Sequence, residues 1–209
     1  MIDRPRAPHL DDEDEDERDE KTADKDAPQT PQIGKLLFES RTILIFGEIN
    51  MKLAKEITAQ LVALDAASND PIKVVVNSPG GHVESGDTIH DMLRFVSSPI
   101  RMIGTGWVAS AGALIYLAGD KDNRFCLPNT RFLLHQPMGG VRGPAVDIDI
   151  EAQEIIKMRA RINEIIARET GQDFAKVEKD TDRNYWLSPD EAKAYGLVTR
   201  VIESASEIA

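Results

Sequence analysis

The chain has 209 residues, 41% of them hydrophobic, and a formal net charge of −11. That length buries one core of ordinary domain size without staples, and the acidic balance argues against a nucleic-acid binder, which needs a basic stripe. A single cysteine, Cys126, excludes an internal disulfide, no Cys/His spacing fits a zinc site, and the most apolar run is broken by Gly106, Ser110 and Gly112 before it can span a bilayer.

Residues 1–30 carry twelve acidic side chains against five basic ones and offer almost nothing to bury. They are expected to form a disordered acidic tail, with the folded domain in 31–209. The lone cysteine and the lack of an apolar N-terminal segment predict a reducing, cytoplasmic setting.

From Lys35 the pattern becomes globular. Residues 42–46 read as a short buried strand closed by Gly47, and Leu53, Ile57, Leu61 and Leu64 recur on one helix face. A second buried strand, 73–76, is followed by Asn77-Ser-Pro-Gly-Gly81, whose composition predicts a tight turn. Ile89, Met92, Leu93 and Val96 mark a helix, and Pro99 opens a third strand over 100–103 that leads to Ser110. Strands alternating with helices in this way predict parallel pairing with right-handed crossovers.

Two short strands follow, 124–126 and 131–134, and the second delivers His135 at its end. Ile155, Met158, Ile162 and Ile165 place a helix over about 151–168, stopped by Thr170-Gly171. A short helix carries Phe174 and Val177, and 180–186 reads as a polar connection. Ser188-Pro-Asp-Glu191 has the form of a capped helix start, and 197–202 is a closing strand.

Gly104-Thr-Gly-Trp-Val-Ala-Ser110-Ala-Gly112 sets one hydroxyl at a small-residue corner where a strand becomes a helix. Such a corner serves a nucleophile elbow, although Val108 replaces the first glycine of G-x-S-x-G; taken alone, the stretch favours a helix N-cap serine. Acyl transfer also needs a base, a group to orient it and paired N–H donors. His135, beside a Pro/Gly turn, suits the base or a structural role, while His9, His82 and His90 have no better claim. The N–H groups of Gly81 and Ala111 are candidate oxyanion donors, and Gly80-Gly81 is alternatively a plain turn.

Four segments together resemble the Clp proteolytic subunit family, ClpP: Gly106-Trp-Val-Ala-Ser-Ala-Gly-Ala113, Asn77-Ser-Pro-Gly-Gly81, Arg124-Phe-Cys-Leu-Pro-Asn-Thr-Arg131 and His135-Gln-Pro-Met-Gly-Gly140. The likeness runs from about Lys35 to Ile202. It implies an α/β ClpP/crotonase-like fold of repeated strand-strand-helix units with a protruding handle helix, the one over 151–168. It implies two heptameric rings stacked into a hollow tetradecamer, with serine endopeptidase sites inside that cut unfolded polypeptides. Ser110 would be the nucleophile, His135 the general base, Gly81 and Ala111 the oxyanion donors, and Glu154 and Arg183 a ring-to-ring ion pair. The subunit would need no cofactor, ATP being used by an AAA+ unfoldase such as ClpX or ClpA.

Two departures from the family pattern stand out. The acidic triad position, four residues after the aspartate of Glu178-Lys-Asp180-Thr181, holds Asn184, with Asp180 and Asp182 as nearby carboxylates. That substitution implies an attenuated peptidase, or alternatively a weak or silent ring subunit that assembles with an active paralogue. The unfoldase groove keeps Phe95 and Phe125 but has Lys73 where an aromatic residue is usual, and the acidic tail replaces an apolar pore segment. A crotonase-like acyl-CoA enzyme shares the fold, and Ser110 with His135-Gln-Pro argues against it.

Overall fold

Ile43 and Ile45 point inward while Leu44 and Phe46 point outward, so Thr42–Ile49 (β1) is a strand with one buried face. The computed structural model describes residues 31–140 and 142–208; the acidic segment 1–30 lies outside them. The helix Pro31–Glu39 (α1) is not evident from apolar spacing, and residues 36–209 pack as one unit.

The remaining elements follow in chain order: Met51–Ala67 (α2), Ile72–Gly81 (β2), Val83–Phe95 (α3), Ile100–Ala109 (β3), Ala111–Tyr116 (α4), Arg124–Cys126 (β4), Arg131–Leu134 (β5), Ala145–Thr170 (α5), Phe174–Asp180 (α6), Tyr185–Leu187 (β6), Pro189–Tyr195 (α7) and Arg200–Val201 (β7). Short 3-10 turns occupy Lys121–Asn123 and Ala205–Ile208. Local chemistry sets several boundaries. Asn50 accepts the Leu53 N–H at the start of α2, Ser188 and Glu191 form a reciprocal capping box on α7, and left-handed Gly171 and Gly196 end α5 and α7.

The sheet runs β1-β2-β3-β4-β7, all parallel, and β5 and β6 branch from it. The branch is built into β3. Its first part, Met102 to Gly104, pairs with β4; its second part, Trp107 to Ala109, pairs with β5. Between them Gly106 takes φ +56, and a Cβ there would stand 2.7 Å from Asn77 Oδ1, which also accepts the Trp107 N–H. The register of β2 shifts at the same level, between Val76 and Ser78, and that of β1 between Phe46 and Glu48. Irregularities in three neighbouring strands disturb the ladder and bend the sheet at this level.

Among the described residues, helices cover one face of the sheet only. Ile57, Leu61 and Leu64 of α2, Ile89 and Leu93 of α3, and all of α4 bury against Ile43, Val74, Val76 and Met102. The first turns of α5 stand clear: every side chain from 145 to 154 is exposed, Val146 and Ile150 included.

Several expectations change. Strand β2 continues through Asn77-Ser-Pro-Gly-Gly81 where a turn is expected, because the register shift absorbs Pro79 and both glycines stay paired to Glu48 and Ile49. β1 likewise passes Gly47 to Ile49, β3 runs on to Ala109, and α5 begins six residues before 151. The connection 180–186 runs into β6, whose first two residues it contains, and the closing strand shrinks to two residues.

Candidate active site

Ser110 stands at the junction of β3 and α4 with φ 54 and ψ −122, and of the described non-glycine residues only Arg41 shares its positive φ. Holding a serine there costs on the order of 1–3 kcal/mol and persists only where the surroundings enforce it. Three contacts enforce it. The Ser110 N–H donates to the Leu133 carbonyl at 2.9 Å, and the Ser110 carbonyl accepts from Ala113 and Leu114. Gly80 packs so closely that a Cβ on it would meet Ser110 Cβ at 2.6 Å. Ser110 occupies the N-cap position, yet its side chain makes no cap hydrogen bond, so the helix-cap reading of this serine fails.

The hydroxyl instead borders a small cavity shared with Ala111 and His135 and walled by Val83, Leu134, Pro137 and Ile162. His135 follows β5. Its Nδ1 lies 3.1 Å from Asn184 Oδ1. The cause is strand β6: Leu134 pairs antiparallel with Tyr185, and extending that register by one residue sets His135 opposite Asn184. Gln136 locks the arrangement, donating its N–H to the Thr181 carbonyl and its Nε2–H to the Asp182 carbonyl. Among the described residues Ser110 and His135 share the cavity without a hydrogen bond between them.

Neither nearby aspartate reaches the histidine. Asp180 accepts from Tyr195 and Lys176, and Asp182 faces Arg159 and Gln136. Substitution of Asn184 by one of these carboxylates is therefore set aside; both are already turned to other partners.

The two candidate donors come from different strand ends. Gly81, at φ +147, closes β2 opposite Ile49, whose carbonyl accepts from the next residue, His82. In a parallel ladder the residue before such a donor turns its own N–H away from that neighbour, here away from β1. Ala111 opens α4, where helix N–H groups lack intrahelical partners. Glu154 and Arg183 are not together within the chain: Glu154 pairs with Lys157 at 2.6 Å, and the Arg183 side chain is 91% exposed.

Among the described residues no group of three or more His, Cys, Asp or Glu could hold a metal ion, and no helix is long and apolar enough to cross a membrane. The single thiol, Cys126, is buried, which pushes its pKa up to about 11.

A family model described as Clp protease matches residues 25–205. The chain belongs to the Clp protease family. It is 71% identical over 174 residues to ATP-dependent Clp protease proteolytic subunit 2 of Gluconobacter oxydans, covering 82% of this chain and 78% of that one. It is 58% identical over 194 residues to proteolytic subunit 3 of Rhizobium etli, covering 93% and 99%. The solved structure of ClpP1 from Listeria monocytogenes superposes with a TM-score of 0.78 at 52% identity, over 85% of this chain and 99% of that chain; a mutant of the same protein gives 0.80. The mixed α/β architecture is thus a ClpP fold, and the chain is a peptidase subunit of the Clp type.

β6 and Asn184's partner escape a reading by periodicity, since three residues are too few to show a period. The signal that could find them is antiparallel pairing of Tyr-Trp-Leu187 with Arg131-Phe-Leu-Leu134.

Proposed function

We propose that this Clp subunit is a serine endopeptidase in which Ser110 is the nucleophile, His135 the general base and Asn184 the group that orients the base. The observation carrying this reading is the strained, uncapped Ser110 at a cavity it shares with a histidine held by Asn184. With the Nδ1 proton directed at Asn184 Oδ1, Nε2 is free to take the Ser110 proton as Oγ attacks a peptide carbonyl. The N–H groups of Gly81 and Ala111 receive the developing oxyanion. The intermediate collapses, His135 returns the proton to the leaving amine, and water then releases the acyl group from Ser110. Ser110 and His135 must close to hydrogen-bond distance with substrate bound, as catalytic contacts commonly do.

Assembly follows the family pattern in this reading: two stacked heptameric rings, with Glu154 and Arg183 pairing between rings and the exposed start of α5 as the handle. An AAA+ unfoldase such as ClpX or ClpA spends the ATP and feeds unfolded polypeptide in the cytoplasm, and the subunit uses no cofactor. Cleavage of a short fluorogenic peptide tests the chemistry. Ser110→Ala is expected to abolish it, and equal rates for the two proteins would remove Ser110 from the mechanism.

The neutral Asn184 favours a second reading, a weak or silent subunit working beside an active paralogue. An amide accepts the histidine N–H but brings no charge to stabilise an imidazolium; in serine proteases the aspartate-to-asparagine change costs about 10⁴ in turnover.

A further inference from the structure

Val75, Ile103 and Phe125 are successive register partners on β2, β3 and β4, on the sheet face that the helices leave uncovered. Leu44 continues the row on β1 and is 37% exposed. The other end of the row is closed by the chain itself. Ile208, on the turn Ala205–Ile208, is only 8% exposed and joins Ile103, Phe125 and Ile202 in an apolar cluster separate from the main core.

Polar clips hold that turn. Arg101 donates to the Ile208 carbonyl, and Arg200 donates to the Glu207 carbonyl while lying 5.3 Å over the Phe125 ring. The Glu207 carboxylate accepts the N–H groups of Glu203 and Ser204. Beside the turn an open groove of about 630 Å³ runs over Val75 and Ile103, edged by Thr42, Lys73 and Arg101, with Ile208 as one wall. A turn fixed by one apolar side chain and a few exposed hydrogen bonds belongs to the part of a protein that opens first.

We propose that Ile208 is a self-supplied plug: it fills the end of the groove against Ile103 and Phe125, a place that otherwise takes one aliphatic side chain, with its main-chain carbonyl on Arg101, from a docking peptide loop. The turn and the loop compete for the groove, so partner binding requires the turn to lift. This deepens the docking part of the proposed function and rests on it for the identity of the outside partner.

The test uses the chain's own C-terminal heptapeptide, residues 203–209, fluorescently labelled and titrated by anisotropy. Three proteins are compared: the full chain, a chain ending at Ser204, and the full-length Ile208→Ser variant, which keeps every polar clip and so holds the fold if truncation does not. Burying an isoleucine supports an affinity difference of about tenfold or more. Both altered proteins are expected to bind the peptide at least tenfold more tightly than the full chain, and a peptide with serine in place of the isoleucine is expected not to bind. Equal binding to all three proteins, or binding indifferent to the isoleucine, overturns the plug. Unfoldase-driven degradation of an unfolded protein, measured in parallel, separates the two readings. Peptide binding without such degradation leaves the plug standing and removes docking; degradation without peptide binding to either altered protein does the reverse.

Discussion

His135 Nδ1 and Asn184 Oδ1 lie 3.1 Å apart because β6 pairs antiparallel with β5 and places the two residues opposite each other at the strand ends. An amide in this position can present either an oxygen or an NH₂ group to the ring, whereas a carboxylate presents only acceptors. The orientation with Oδ1 facing Nδ1 selects the tautomer that leaves Nε2 basic.

Replacing Asn184 by Asp keeps the shape and removes the choice. Asn184→Asp is expected to raise kcat for peptide cleavage by at least tenfold, since the tautomer is then fixed and the imidazolium gains a counter-charge. Steady-state kinetics on the assembled protein checks this, and an unchanged kcat would contradict the role given to Asn184.

Gly80 has φ +101 and no room for a side chain beside Ser110. Gly80→Ala is expected to displace Ser110 and lower kcat/KM by more than tenfold, with a loss of about 1–3 kcal/mol of stability from strain at that φ. Peptide kinetics and denaturant melts on the same preparation measure both.

His90, on α3, is buried, which holds its pKa below the ordinary 6.5, while its hydrogen bond to the Leu114 carbonyl acts in the opposite direction. Unfolding releases this histidine to a higher pKa, so the unfolded state binds more protons. Its contribution to stability is therefore complete above pH 6.5 and is lost as the pH falls below that value. Urea midpoints taken between about pH 5 and 8 should fall on the acid side, and His90→Gln should flatten that slope.

Glu154 and Arg183 face other partners or solvent within one subunit, so a contact between rings is open to both. Reversing either charge is expected to shift double rings toward single rings in sedimentation velocity, and reversing both should restore them. Such exposed pairs contribute only about 0.2–1 kcal/mol each, so the shift should weaken in high salt.

Much of this fold is legible in the sequence wherever a period or a cap is long enough to read. Leu53 to Leu64 announce α2, and Ser188 with Glu191 announces α7. Asn77-Ser-Pro-Gly-Gly81 is misread because its composition belongs to turns, while its structure is a strand whose glycines permit close approach to Ile49 and Ser110. Ser110 and His135 can be named from motifs, but their shared cavity depends on the fork in β3 between Gly104 and Trp107, which no local pattern reports. Ile208 carries no local signal at all, since its burial comes from a sheet face built by β2, β3 and β4.

Treatment of the assembled protein with a fluorophosphonate, followed by peptide mass spectrometry, addresses the nucleophile directly. A covalent adduct on Ser110, slowed strongly in His135→Ala, is the result expected. An unmodified Ser110 under conditions that label an active serine peptidase, or an adduct on another residue alone, would contradict the assignment.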